Sequence, residues 1–224
     1  MIQRIGHRGA AALAPENTLA GFALAADLGV DGVELDVRVS ADGQAVVIHD
    51  ENLDRTTHAQ GPVAQREAAA LAALGVPTLA EVLDLLAGRC EVTIELKCAG
   101  APEPALAAVA ASGAEVIFTS FDLSLTAEIK ARRPGTRVGG IFDRLAPSVR
   151  PRLTALGADT ADVHWAALTA EWVEVAHRYD LRVRAWTCND AAAVAAAVAA
   201  GADAVMSDWP DRLALWLADG RADS

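Results

Sequence analysis

The feature that most restricts the fold of this chain is an alternation that begins near residue 91 and continues to the C-terminus. Short apolar runs take turns with alanine- and leucine-rich stretches of helical spacing. Glu91 to Lys97, Val116 to Ser120, Val138 to Phe142, Thr160 to His164, Val183 to Thr187 and Ala204 to Ser207 read as strands. Pro104 to Ala111, Leu123 to Arg132, Pro147 to Leu156, Ala170 to Tyr179, Ala191 to Ala200 and Asp211 to Leu217 read as the helices that follow them. Two units precede these. Ile2 to Arg8 is a strand, and Asn17 or Thr18 caps a helix over Leu19 to Ala26 that Gly29 stops. Gly32 to Val37 is the second strand. Its helix, Leu79 to Leu86, is capped by Thr78 and ended by Gly88. Between them Asp42-Gly43 signals a hairpin that returns over residues 45–49. Residues 50–77 are polar and irregular, with one helical turn near Glu67 to Leu74.

Leaving the hairpin aside, there are eight strand–helix units. Repeated units with short links predict a parallel sheet covered by helices, and eight of them suggest closure. The expected fold is α/β, a TIM (β/α)8 barrel with a β-hairpin arm after strand 2. A doubly wound sheet is the rival. It usually carries a Gly-rich phosphate turn after the first strand, and Gly6-His7-Arg8-Gly9 is not one. No linker interrupts the pattern, so residues 1–224 are expected to form one domain.

The chain has 224 residues, 53% of them hydrophobic, which is enough for one sizeable core. Its net charge of −11 argues against nucleic acid or stable membrane association as the main interaction. A small anionic substrate would need a local cation. No apolar run reaches membrane-spanning length, and the N-terminus has no signal-peptide pattern. Cys90, Cys98 and Cys188 have no ligand-like spacing, and an odd count gives no full disulfide framework. A reduced cytoplasm is the expected location.

Within the second strand, Glu34 and Asp36 sit two residues apart and so project from one face. A buried carboxylate pair is costly unless a cation or proton compensates it, and a metal site is the simplest reason to build one. Glu-x-Asp alone is more often a strand with an exposed acidic face. The hairpin, however, would bring His49 roughly opposite Asp36. The C-terminal strand ends of a barrel gather at one mouth. Here those ends carry His7, Arg8, Glu34, Asp36, Glu95, Lys97, Ser120, Phe121, Trp186 and Asp208.

The motifs Gly6-His7-Arg8-Gly9, Pro15-Glu16-Asn17-Thr18, Glu34-Leu35-Asp36-Val37, Val47-Ile48-His49-Asp50 and Leu53-Asp54-Arg55-Thr56-Thr57 occur in that order. Ile94-Glu95-Leu96-Lys97, Ser120-Phe121, Trp186-Thr187-Cys188-Asn189 and Ser207-Asp208-Trp209-Pro210 follow. From end to end the set resembles the glycerophosphodiester phosphodiesterase family, in its small, cytoplasmic, bacterial form. That resemblance implies a TIM barrel, a divalent metal, and hydrolysis of glycerophosphodiesters to glycerol 3-phosphate and an alcohol. The segment His58-Ala59-Gln60-Gly61 departs from it where a second glycine is usual.

The residue chemistry fits those implications. Glu34, Asp36 and Glu95 make an all-oxygen set, better suited to Mg²⁺ or Ca²⁺ than to Zn²⁺. Arg8 can fork a phosphate oxygen, or it can pair with Glu16 or Glu34. Lys97 adds a point charge, or only neutralises the acids. His7 and His49 would share general acid and base work. Phe121 and Trp186 offer apolar walls for the glycerol, or belong to the core. Glu16 is read as a helix-end residue or a support that does not touch the metal. His58, His164 and His177 read as surface or packing residues; Trp165, Trp172, Trp209 and Trp216 read as packing. No serine, threonine or cysteine nucleophile with an adjacent base stands out. The substrate's own hydroxyl can then attack, through a five-membered cyclic phosphate, a route drawn partly from what the resemblance implies. Two other functions compete: a lysophospholipase D-type enzyme for lipid analogues, and a non-catalytic barrel that binds a phosphate ester.

Overall fold

In a computed structural model that describes residues 2–222, strands and helices alternate as the sequence predicts. The strands are β1 (Gln3–Gly6), β2 (Gly32–Val39), β3 (Ala45–Val47), β4 (Glu91–Leu96), β5 (Val116–Thr119), β6 (Gly139–Phe142), β7 (Thr160–His164), β8 (Arg182–Trp186) and β9 (Ala204–Ser207). The helices are α1 (Leu19–Asp27), α2 (Ala68–Ala72), α3 (Leu79–Leu86), α4 (Pro102–Ala111), α5 (Leu123–Arg132), α6 (Val149–Leu156), α7 (Ala170–His177), α8 (Ala191–Ala199) and α9 (Pro210–Ala222). The sheet runs β5-β4-β2-β1-β9-β8-β7-β6, and β3 lies outside this path on β2. A parallel bridge between Phe118 and Val138 joins the two ends. The result is a (β/α)8 barrel with a hairpin arm on its second strand.

Local chemistry sets the element ends. The Thr18 side chain accepts from the Gly21 amide, so Thr18 rather than Asn17 caps α1. Gly29 follows that helix with φ 69°, a left-handed turn that costs glycine little. Thr78 and Glu81 form a reciprocal capping box on α3. Val37 pairs with Val47 across the arm, and the Ile48 amide donates to the Asp36 carbonyl. His49 therefore falls one residue beyond the position opposite Asp36. The excursion over 50–77 is more ordered than its polarity suggests. Leu53, Val63, Leu71 and Val76 are buried with Val46 and Ile48 in a small core of their own.

The barrel interior holds a charged layer the sequence does not announce. Arg184, 1% exposed, donates to both Asp162 oxygens at 2.7 and 2.6 Å and to Thr93 Oγ1 at 2.8 Å. A single side chain thus ties β8 to β7 and, across the interior, to β4.

Candidate active site

A tight turn after β1 starts the site. Gly6 leads into it, and a side chain there would run into the Gly9 carbonyl. Arg8 and Gly9 both take positive φ, 49° and 84°. For an arginine this conformation is strained and needs surrounding support. Here the Arg8 amide donates to Glu34 Oε2 at 3.1 Å. The turn sends His7 and Arg8 to the mouth of a cavity of about 260 Å³. His7, Arg8, Glu34, His49, Glu95 and Lys97 give it a charged lining, and Phe121, Ile141, Trp186 and Met206 an apolar one. Asp162 also reaches it.

Glu34, Asp36 and Glu95 are 5%, 1% and 8% exposed, and each offers an oxygen within 4.8 Å of the others. Parallel registry produces this cluster: Asp36 on β2 lies beside Glu95 on β4. Burial, with repulsion from Asp36, pushes Glu34 up to about 7 and Glu95 up to about 8. Burial works against Asp36 too, but Arg8 and Lys97 hold its carboxyl below its usual value. Arg8 Nε lies 3.3 Å from Asp36 Oδ2, and Lys97 Nζ lies 2.7 Å from Glu95 Oε1 and 3.5 Å from Asp36 Oδ1. Asp36 Oδ1 is nonetheless buried without a hydrogen-bond donor. Two carboxyls pushed towards neutrality and one orphaned oxygen fit a hard, oxygen-liganded divalent cation.

His7 and His49 each have an aspartate on Nδ1. His7 Nδ1 lies 2.6 Å from Asp208 Oδ1, and Asn189 donates to the other Asp208 oxygen at 2.6 Å. His49 Nδ1 lies 2.7 Å from Asp50 Oδ1. His7 Nε2 lies 3.8 Å from Glu34 Oε2. Burial alone would lower His7, but the Asp208 hydrogen bond and the Glu34 charge raise it. Burial lowers His49 in spite of Asp36 and Asp50. Phe121 packs edge-on against Trp186 with centroids 5.7 Å apart.

All the expected ligands, cations, histidines and aromatics therefore meet at one mouth. Glu16 stays outside the cavity lining and accepts from Arg8 Nη1 at 2.9 Å. Of its two expected roles, surface or packing, His164 takes the second: it packs edge-on against Trp186 at 5.4 Å. Asn17, one of the two residues expected to cap α1, supports the site instead. Its amide donates to Asp36 Oδ2 at 2.8 Å instead of capping α1. Asp50 could have been found beside His49 in the chain. Asn189 and Asp208 carry no such signal for His7, because both lie far from it in sequence. Among the described residues, the exposed large apolar side chains are Leu13, Leu19, Leu28, Phe121, Tyr179 and Leu215, of which Phe121 lines the cavity.

The barrel mouth thus gathers a buried acid triad, two aspartate-held histidines and two cationic side chains, Arg8 and Lys97. The glycerophosphoryl diester phosphodiesterase family model matches residues 7–212. A glycerophosphodiester phosphodiesterase of Caldanaerobacter subterraneus is 31% identical over 93% of this chain and 95% of its own length. The barrel is similar to that of an Oleispira antarctica phosphodiesterase solved with the product sn-glycerol-3-phosphate. The TM-score is 0.90, with 27% identity and 96% of each chain covered. A glycerophosphodiester phosphodiesterase from Thermotoga maritima gives 0.84, at 28% identity over 96% of this chain and 98% of that one. The chain belongs to the glycerophosphoryl diester phosphodiesterase family, and as an enzyme it is a phosphoric diester hydrolase.

Proposed function

We propose that this enzyme hydrolyses glycerophosphodiesters to glycerol 3-phosphate and an alcohol, with a divalent cation, Mg²⁺ or Ca²⁺, held by Glu34, Asp36 and Glu95. The observation that carries this reading is the pair of histidines, each held at Nδ1 by an aspartate, flanking the buried triad. When bound, the cation supplies charge neutralisation at phosphate oxygens and acidifies a nearby hydroxyl.

The chain's own groups do the rest. Arg8, braced by Glu16, and Lys97 bind the phosphate. Phe121 and Trp186 cover the glycerol carbons. None of the residues lining the cavity is serine, threonine or cysteine, which supports attack by the hydroxyl next to the phosphate-bearing carbon. One histidine takes that proton at Nε2. The tethered oxygen attacks phosphorus with the advantage of an intramolecular reaction. The alcohol leaves with a proton from the other histidine, and water then opens the five-membered cyclic phosphate with the roles exchanged.

Turnover of glycerophosphocholine before and after EDTA, with Mg²⁺ or Ca²⁺ added back, tests the metal requirement. A 2-deoxy analogue tests the route: it should bind and resist cleavage, whereas glycerol 1,2-cyclic phosphate should be hydrolysed. Rapid cleavage of the deoxy analogue would mean that water attacks directly.

A further inference from the structure

Arg55 stands outside the cavity, and no role above uses it. It lies on the excursion after β3 with its side chain 48% exposed, yet it makes four hydrogen bonds to two carboxylates on different loops. Nη1 and Nη2 donate to the two Glu16 oxygens, each at 2.7 Å. Nε donates to Asp50 Oδ2 at 2.7 Å and Nη2 to Asp50 Oδ1 at 3.2 Å. Exposed ion pairs add little stability. A planar guanidinium that fills two carboxylates at once instead fixes geometry.

Each of those carboxylates continues to a group at the site. Asp50 Oδ1 holds His49 Nδ1 at 2.7 Å, and Glu16 Oε1 accepts from Arg8 at 2.9 Å. The main chain around His49 is held separately. Arg38 Nε donates to the His49 carbonyl at 2.8 Å, and the Ile48 amide to the Asp36 carbonyl at 2.9 Å. Losing Arg55 would thus leave the arm in place and release the Asp50 carboxylate, and with it the imidazole.

We propose that Arg55 is a positioning residue for the phosphodiesterase reaction: by clamping Asp50 to Glu16 it holds the His49 ring and the Arg8 guanidinium in one fixed relation. The proposal rests on the reading of His49 as a proton-transfer group. Its physical content is a tautomer. With Asp50 accepting from Nδ1–H, the neutral ring keeps Nε2 free for the substrate.

The test uses the full-length, Mg²⁺-loaded enzyme. Arg55→Gln should lower kcat ~10–10²-fold, the size of effect expected from a slightly misplaced catalytic group, and change KM much less. Mg²⁺ affinity by calorimetry should stay as in wild type. Histidine-selective ¹⁵N spectra should show one His49 tautomer, protonated at Nδ1, in wild type and a mixture in the variant. Arg55→Lys keeps the charge without the two forks and should recover only part of kcat. The double variant Arg55→Gln/Asp50→Asn should lose less than the product of the two single losses, because the Asp50–His49 branch is shared and only the Glu16–Arg8 branch is Arg55's own. A folded Arg55→Gln enzyme with wild-type kcat and a single Nδ1–H tautomer overturns the proposal. If Arg55→Gln does not fold, the same two measurements on Arg55→Lys decide. Should His49→Ala keep its kcat, the reading of His49 fails instead, and the tautomer comparison alone decides the positioning.

Discussion

The two histidines share one design and sit in different electrostatic settings. Asp208, behind His7, is steadied by the neutral Asn189, whereas Asp50, behind His49, is tied to a cation. Their shifts run in opposite directions, His7 up and His49 down. Opposite directions set the two rings apart, as the division of acid and base work requires. His7→Ala and His49→Ala should each cost ~10²–10⁴-fold in kcat while Mg²⁺ binding persists. The pH dependence of kcat/KM should be bell-shaped, with limbs that belong to the coupled pair. A variant that retains wild-type kcat would remove that histidine from the chemistry. The acids make a second prediction at this scale. Glu34→Gln, Asp36→Asn and Glu95→Gln should each weaken Mg²⁺ binding by at least ~10²-fold, more than the loss of a supporting residue. Calorimetric titration of the three proteins decides this, and unchanged affinity in all of them would dissolve the proposed metal site.

At the level of elements, Arg184 makes three strands depend on one another. A buried cation tolerates burial only while its partners stay. Asp162→Ala should therefore destabilise the protein by up to ~3–5 kcal/mol, because the guanidinium keeps only Thr93 and, at 3.7 Å, the Glu91 carboxylate. Replacing the pair together, as Arg184→Met/Asp162→Leu, should restore much of that loss. Denaturant midpoints at constant slope measure both. If Asp162→Ala is as stable as wild type, the buried Arg184–Asp162 pair contributes nothing to stability. The capping box is a smaller device. Thr78→Ala should cost ~1 kcal/mol through the first turn of α3, without touching the site.

For the whole molecule, the acid triad couples stability to pH and to metal. Burial and mutual repulsion raise Glu34 to about 7 and Glu95 to about 8 in the folded, metal-free protein, against an ordinary value of 4.5. Carboxyls raised on folding contribute stability that is complete below about pH 4.5. That contribution is lost as pH rises through 7 and 8. Glu16 and Asp50 are lowered, chiefly by Arg55, so their contribution has the opposite sign and disappears in acid. Metal-free Tm should therefore fall between pH 5 and pH 8, and also fall well below pH 4. Mg²⁺ competes with protons for the same oxygens, so its stabilising shift should be larger at pH 8 than at pH 5. Scanning calorimetry with and without Mg²⁺ checks this. A metal-free Tm that is flat from pH 5 to pH 8 would mean that burial and repulsion do not raise Glu34 and Glu95.

The fold was legible because its determinants are local. Eight repeats of apolar run and helical stretch, Thr18 and Thr78 at helix starts, and Gly29 and Gly43 at turns each act over a few residues. The candidate site was legible because a parallel barrel carries every strand's C-terminal end to one mouth, whatever the distance along the chain. Glu34, Asp36 and Glu95 could be grouped on that ground alone. Pairings set by side-chain direction in three dimensions were not legible. Asp208 reaches His7 from the last strand, and Asn17 leaves its place beside the α1 cap for Asp36. Arg184 finds Asp162 and Thr93 inside the barrel, where the pattern alone suggests only apolar filling. Nothing local marks these residues, because their partners are chosen by strand register and barrel closure, which bring together groups up to 201 positions apart.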